Sequence, residues 1–429
     1  MTADAAAALF RSGRVDQAAA LFRALAVRPD PLGAYARRSL ATIVPGEPTA
    51  DGAEILRARR AFAADLGVAP MRLGARRPGR LRLGYLSSFF AARNWMKPVW
   101  GVVNRHDRAR FEIHLVCSGG LPSAASGYVD HEADWIHDIT GVENARAAAM
   151  LAEADLDVLV DLNGYSDVDR LGLVAAHPAR VTVGWFNHFA TSGLGVDWLV
   201  GDAVVLADSP PASERLHAVA GSYLAFEVRY ETPPVTPAPA ARHGCVTFGC
   251  LGAQYKLTDA VLGSWRRILQ ASPRARLVLG NASLDRTMGE DVLARLAVDP
   301  ARISLRGRAE HAAFLRGYDE IDVALDTFPY NGGTTTAEAL WQGVPVLSFA
   351  GERWAGRTSA SLLQAAGLGG WVMADQAGYE ARAAALRPAD LPDRAGLRAQ
   401  VAGSAACDCA ALCRGLEEFY TEASMPPST

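Results

Sequence analysis

The chain predicts an α/β protein built from two Rossmann-like, doubly wound parallel-sheet domains, preceded by a short helical region. Three observations carry that expectation. From residue 80 onward, short apolar runs alternate with helix-length segments, the pattern of a parallel sheet covered on both faces. One proline-rich passage, residues 231–244 (ETPPVTPAPAARHG), breaks the alternation, which then restarts. Before residue 68 the chain is alanine-rich and helical in period, with no strand pattern.

The helical region is expected over 1–75. Within it, AAALFRSGRVDQAAALFRALAVRPDP reads as two short amphipathic helices around Gly13 that stop at Pro29. Leu9, Gly13, Ala18, Phe22 and Pro29 alternate large and small as in one tetratricopeptide-like hairpin. One such unit cannot bury its own face, so it must pack on the next helices, 32–43 and 51–66, or on the following domain. The first sheet domain is expected over 76–232, with strands at 80–87, 111–118, 156–163, 181–188 and 197–203. The second is expected over 243–405, with strands at 246–251, 275–281, 302–307, 323–328 and 345–350. A C-terminal helix and tail, 406–429, close the chain. Two such domains joined by a linker place a cleft between the carboxyl edges of their sheets, where open α/β sheets bind ligands.

Composition narrows the function. In 429 residues, half of them hydrophobic, there is material for more than one core. A formal net charge of −3 argues against a nucleic-acid partner held by bulk charge. The start, MTADAAAALF, carries an acid where a secretory signal needs cations, and no run of about 18 apolar residues occurs, so a cytoplasmic protein with no membrane partner is expected. Six cysteines suit reduced buried thiols. Cys407, Cys409 and Cys413 are closely spaced, but no fourth ligand accompanies them and no metal is expected.

The most telling segment is DTFPYNGGTTTAEALWQGVP, residues 326–345. It reads as the end of a buried strand, a turn at Asn331, Gly332 and Gly333, and a helix closed by Gly343. Free backbone N–H groups and the positive end of the helix dipole would face a ligand above the strand. A diphosphate suits them: the Thr334 and Thr335 hydroxyls add donors, and the helix terminus alone favours it by roughly 0.3–1 kcal/mol. Lys256, in GAQYKLTD after the first strand of the same domain, is expected to reach the same crevice.

With these pieces, the chain from Arg80 to Tyr420 resembles the catalytic region of the O-linked N-acetylglucosamine transferase and SPINDLY group, glycosyltransferase family 41. The resemblance is carried by RLRLGYLSS, DVLVDLNGYS (157–166), HPARVTVGWFNHFATSG (177–193), FGCLGAQYKLTD, LDTFPYNGGTTTAEALWQGVPVLSFAGERWAGRTSASLL (325–363) and VAGSAACDCAALCRGLEEFY (401–420). It implies the two-domain GT-B arrangement, no metal or other cofactor, and inversion at the anomeric carbon. The donor it implies is a nucleotide sugar, a UDP-sugar first among them, and the acceptor is Ser or Thr of a protein. Lys256, Gly332, Gly333, Thr334, Thr335 and Thr336 would then hold the leaving diphosphate. Glu338, one helical turn on, would accept the ribose hydroxyls, and His311 stands where some relatives place a lysine. The turn Thr191, Ser192, Gly193 would offer N–H groups to the donor sugar. His188 and Tyr255 are both candidates for the base that takes the acceptor proton.

Departures are as informative. Relatives usually have Asp-Phe and a histidine after the first strand, where this chain has Phe89, Arg93 and Asn94. Phe314 replaces another family histidine, and Asn187, His188 and Phe189 replace a glycine-tyrosine-proline. These changes surround the nucleotide and sugar, so the donor need not be UDP-N-acetylglucosamine. Nearly all of the long helical array that holds the acceptor in relatives is missing. The DVD triplet Asp167–Asp169 mimics a metal-binding DxD, but at a place where relatives are merely polar. A GT-B nucleotide-sugar 2-epimerase and a degenerate, non-catalytic nucleotide-sugar binder are the competing readings; no G-x-G-x-x-G follows the first strand of either half, which disfavours a dinucleotide enzyme.

Overall fold

The computed structural model describes residues 2–92, 95–208, 210–281, 284 and 286–425. Arg93 and Asn94 lie outside the described residues. The chain divides into two compact units, each built on one parallel sheet.

The first sheet contains β1 (Leu81–Ser87), β2 (Phe111–Cys117), β3 (Trp135–Asp138), β4 (Val158–Asp161), β5 (Val181–Gly184), β6 (Trp198–Asp202) and β7 (Arg215–Val219), in the order β3-β2-β1-β4-β5-β6-β7. The second contains β8 (Thr247–Cys250), β9 (Arg276–Gly280), β10 (Ile303–Arg306), β11 (Val323–Leu325), β12 (Val346–Phe349) and β13 (Val372–Met373), in the order β10-β9-β8-β11-β12-β13. Every strand pairing in both is parallel. The order reverses beside the first strand of each sheet, between β1 and β4 and between β8 and β11, and such reversals open the crevice in which doubly wound folds take ligands. The expected fold class is observed, and all ten expected strands form within it.

Central strands read clearly because both their faces are buried: β4, β5 and β8 are buried at every position. β3, β7 and β13 did not emerge from the sequence. They are short, and β3 and β13 have no fully buried position, so no apolar run marks them. The second core packs Trp265, Ile268 and Leu269 from the helix Asp259–Ala271 against Phe248, Leu277 and Leu279. Thr258 starts that helix by accepting the Val261 N–H at 3.3 Å.

The helical region, expected as a domain over 1–75, is divided between the units. Residues 1–25 and 45–50 belong with 231–407, while 26–44 and 51–230 are joined by 408–429. The physical reason is visible in the packing. Ala41 and Phe62 enter the core of the first sheet with Leu86, Leu159 and Tyr165. The hairpin around Gly13 (φ +78°) instead seats on the second unit, where a Cβ at residue 13 would lie 2.4 Å from the Leu257 carbonyl oxygen. The last helix, Cys409–Ala423, is integral to the first unit: Cys409 packs on Gly101, and Glu417 bonds His106 Nδ1 at 2.9 Å.

Candidate functional site

In the second unit, a crevice opens at the reversal between β8 and β11. Gly252, Lys256, Asp326, Gly332, Thr335 and Thr336 line it. Lys256 ends a single turn, Gln254–Lys256, that follows β8, and the glycine turn follows β11. The pairing Val323 to Phe248 and Ala324 to Gly249 sets the two loops side by side.

The loop after β11 is organised by a buried carboxylate. Asp326 Oδ1 accepts the N–H groups of Thr327 (2.9 Å) and Gly332 (2.8 Å), and its Oδ2 accepts the Ser348 hydroxyl at 2.6 Å. Burial pushes the Asp326 carboxyl up, opposed by those donors and by Lys256. Gly332 is required here, since a Cβ would stand 2.4 Å from Thr336 Oγ1 and 2.8 Å from Thr335 Oγ1. Thr336 Oγ1 pairs with Ser359 Oγ at 2.7 Å, and Ser359 donates to the Gly332 carbonyl at 3.1 Å, so the third threonine is structural. The helix Thr334–Trp341 starts at Gly333 without a side-chain cap. Among the described residues, nothing accepts the N–H groups of Gly333, Thr334 and Thr335, and the Thr334 and Thr335 hydroxyls are equally unclaimed.

Lys256 lines the same crevice as Gly332, Thr335 and Thr336. Its Nζ donates to the Asn331 carbonyl at 2.6 Å and lies 4.1 Å from the centre of the Tyr330 ring. Burial lowers its pKa from 10.5 to about 8, against the pull of Asp326. Tyr255, the preceding residue, stacks its ring on Phe10 at 5.1 Å, and burial raises its phenol. A phenol held protonated is a poor proton acceptor.

Glu338 is 2% exposed, and its Oε1 lies 2.9 Å from His311 Nε2. The pair flanks the crevice through the neighbouring rings of Phe314 and Tyr318, and the Tyr318 hydroxyl donates to the Thr335 carbonyl at 2.9 Å.

The remaining expected residues lie in the first unit, where their polar atoms bond to other residues of that unit. His188 is 2% exposed; its Nε2 is 2.9 Å from Asp161 Oδ2, and its Nδ1 is enclosed against Gly184. Its Nε2 is thus engaged by Asp161, while its Nδ1 is buried with no hydrogen-bond partner among the described residues. The turn Thr191–Gly193 is closed onto buried Glu214, which accepts the Thr191 hydroxyl at 2.7 Å, the Ser192 N–H at 2.7 Å and the Ser192 hydroxyl. Arg59 donates to the Thr191 carbonyl at 2.6 Å, and Gly193 (φ +69°) leaves no room for a Cβ beside Arg59. The DVD aspartates diverge: Asp169 pairs with Arg38 at 2.7 Å, and Asp167 accepts the Ser88 hydroxyl. Cys413 does find company that its spacing could not reveal, His106 Nδ1 at 3.6 Å and Glu417 Oε1 at 3.8 Å. Burial pushes its thiol up to about 12, and the three groups are joined by hydrogen bonds before the start of β2.

Asp326, which lines the crevice, and Tyr330 and Phe10, which pack beside Lys256 and Tyr255, were not singled out from sequence. An acid at the end of a strand as apolar as VALDTF was the available signal for the first. A second signal lay in the composition. Of the 43 Lys and Arg residues only Lys97 and Lys256 are lysines, so arginine serves nearly every other basic position. Phe10 had no local signal, since its partner is distant in the chain.

Residues 69–225 and 241–408 match the model of glycosyl transferase family 41. A SPINDLY protein of Oryza sativa subsp. japonica, described as a probable UDP-N-acetylglucosamine–peptide N-acetylglucosaminyltransferase, is 32% identical over 359 residues, covering 79% of this chain and 38% of that protein. Its counterpart from Solanum lycopersicum is 34% identical over 300 residues, 66% of this chain and 32% of that protein. The chain thus spans well under half the length of these curated relatives. Among solved structures, a mutant O-GlcNAc transferase of Thermobaculum terrenum matches with a TM-score of 0.86 and 29% identity, over 97% of this chain and 83% of that one. No described helix is long and apolar enough to cross a membrane. The crevice geometry, the matched segments and the relatives agree: this chain belongs to glycosyl transferase family 41.

Proposed function

We propose that the protein is an inverting, metal-independent O-glycosyltransferase that moves N-acetylglucosamine or a related sugar from a nucleotide sugar, a UDP-sugar first, to Ser or Thr hydroxyls of a protein. One observation carries the reading. At the strand-order reversal of the second unit, a glycine turn with three N–H groups and two hydroxyls unclaimed among the described residues adjoins the ammonium of Lys256, which lines one crevice with Gly332 and Thr335. That set suits the charge that builds on a diphosphate as its bond to the anomeric carbon breaks. A preorganised donor aimed at such charge typically contributes about 10²–10³ in rate. Lys256 acts as the cation, and Asp326 positions the turn. In the donor complex, Lys256 exchanges the Asn331 carbonyl for a phosphate oxygen. The attacking hydroxyl adds to the face of the anomeric carbon opposite the departing diphosphate, and its proton leaves to a base.

The test is a panel of UDP-, GDP- and CMP-sugars incubated with the purified protein, with nucleotide release and sugar configuration both followed. Slow release without acceptor, and sugar appearing on a protein with inverted anomeric configuration, support the reading. Interconversion of free sugar nucleotides would identify an epimerase instead, and binding without turnover a degenerate binder.

A further inference from the structure

The turn that carries Lys256 is weakly held by its own backbone. Within it run only short-range bonds, Lys256 N–H to the Ala253 carbonyl (3.0 Å) and Leu257 N–H to the Gln254 carbonyl (2.9 Å). Leu257 anchors its end in the second core, Asn281 Nδ2 holds the Gly252 carbonyl before it at 2.7 Å, and the N-terminal helix Ala3–Arg11 with the bend that follows packs on it. Phe10 lies on the Tyr255 ring, 5.1 Å between centres and 24° between planes. Gly13 abuts the Leu257 and Gln254 carbonyls so closely that a Cβ would fall 2.4 and 3.3 Å from their oxygens. Arg295 ties the same two segments, donating to the Ser12 carbonyl at 2.7 Å and the Leu257 carbonyl at 2.9 Å. Arg14 adds an ion pair to Asp291.

The opposite side of the lysine is built by Tyr330, whose ring lies 6.4 Å from Tyr255 and beneath Nζ. Gly46 in turn comes near the Tyr330 ring, and Arg353 fastens that segment by donating to the carbonyls of Pro45, Glu47 and Pro48. Both pieces of the N-terminal region that join the second unit thus bear on the two loops of the crevice.

We propose that the N-terminal helix is a positioning element of the diphosphate seat, in which Phe10, through the Tyr255 and Tyr330 rings, fixes the place of the Lys256 ammonium. The inference rests on the reading of Lys256 as the leaving-group cation. Phe10 touches no substrate; it acts through the turn. Displacing a catalytic group by about 1 Å can cost on the order of 10²-fold, so the stack need only shift slightly to matter.

The experiment exploits the presence of only two lysines. The full chain is labelled with lysine carrying ¹³C at Cε, and the Lys256 resonance is assigned by its loss in Lys256→Met. In the parent it titrates near 8, with Asp326 and Cys250 as the charged or titratable groups facing it. In Phe10→Ala the titration moves toward the ordinary 10.5 as water reaches the amine, and affinity for UDP falls about 10-fold or more. Phe10→Tyr, which keeps the stacked ring, restores both. Phe10→Leu keeps apolar volume without a ring and serves if the alanine variant does not fold; it should shift the same way. Parental titration and parental UDP affinity in a folded Phe10→Ala or Phe10→Leu overturn the proposal. UDP binding unaffected by Lys256→Met would instead overturn the role given to the lysine, and the titration in the Phe10 variants would still decide whether the helix positions it.

Discussion

Replacing Lys256 with methionine tests the site most directly, because methionine keeps the apolar stem over Tyr330 and removes only the charge. Loss of one preorganised donor predicts a fall of about 10²–10³ in nucleotide release. The fold should tolerate the change. Lowering the lysine from 10.5 to about 8 means that its surroundings, burial set against the pull of Asp326, penalise its charged form by a net of about 3 kcal/mol, less what partial exposure screens. Removing that penalty offsets the lost charge-assisted bond to Asn331, itself about 1.5–3 kcal/mol, so stability stays close to parental. The pH dependence has a definite sign. The ammonium is the active form, so kcat/KM of the parent should decline as pH rises through about 8, and that alkaline limb should vanish in the variant. Stability runs the other way: the unfolded chain holds this proton more tightly, so the parent gains stability between about 8 and 10.5 while Lys256→Met does not. Nucleotide release from UDP-N-acetylglucosamine and thermal unfolding, each followed from pH 6 to 10, make the comparison. A folded variant that turns over within about threefold of the parent would place the chemistry elsewhere.

The threonines should separate by role. Thr335→Val should leave stability within about 0.5 kcal/mol yet weaken UDP binding several-fold by calorimetry, whereas Thr336→Val, which breaks the Ser359 bond, should cost about 1–2 kcal/mol in urea unfolding. Gly332→Ala should cut UDP affinity at least about 10-fold, since the new methyl drives into both threonine hydroxyls; parental affinity would show that the turn relaxes freely. His188→Asn should destabilise the first unit by roughly 1.5–3 kcal/mol by removing a hydrogen bond to buried Asp161, while a folded sample retains turnover within about 10-fold. A loss beyond about 10³ in that folded sample would restore His188 as the base.

What could be read in advance follows from where the physics is local. Central strands such as 80–87 and 246–251 announce themselves because most of their length is buried on both faces and apolar residues dominate them. The diphosphate turn is equally local: two glycines, three threonines and a helical run adjoin in the chain. The status of each group in it is not local. Thr336 is taken up by Ser359, 23 positions on, while Thr334 and Thr335 remain open, and nothing in TTT marks the difference. His188 and the TSG turn matched the family's pattern, yet Asp161 and Glu214, separated from them by 27 and 22 positions, decide what their polar atoms do. The edge strand β3, with Trp135 and Ile136 exposed, lacks the alternation that sequence reading depends on. Phe10 and Tyr255 meet only because the Gly13 bend seats on Leu257.

Both sheets share one topology, so strand order alone assigns the anion to neither. Hydrogen-bond accounting does. At the reversal in the first sheet, the N–H groups of Asn163 and Gly164 are already accepted by Asp161, at 2.9 and 3.2 Å, and in the segment after the neighbouring strand β5 that of Ser192 is accepted by Glu214 at 2.7 Å. A diphosphate arriving there would meet two carboxylates and the donors they already hold, and both repulsion and competition would disfavour it. At the reversal in the second sheet, Asp326 takes the N–H groups of Thr327 and Gly332, which shapes the turn, and leaves those of Gly333, Thr334 and Thr335 without an acceptor among the described residues, in the loop whose Asn331 carbonyl Lys256 reaches. The buried acid does not compete for the helix terminus; it holds the loop in the form that exposes it. The same residue type thus closes one crevice and opens the other, and the difference lies in which N–H groups each carboxylate reaches. Asp326→Asn is the sharp consequence: an amide keeps an acceptor for one N–H but turns a donor toward either Ser348 or the turn. UDP affinity should therefore fall about 10-fold or more even though Lys256, Thr334 and Thr335 are untouched.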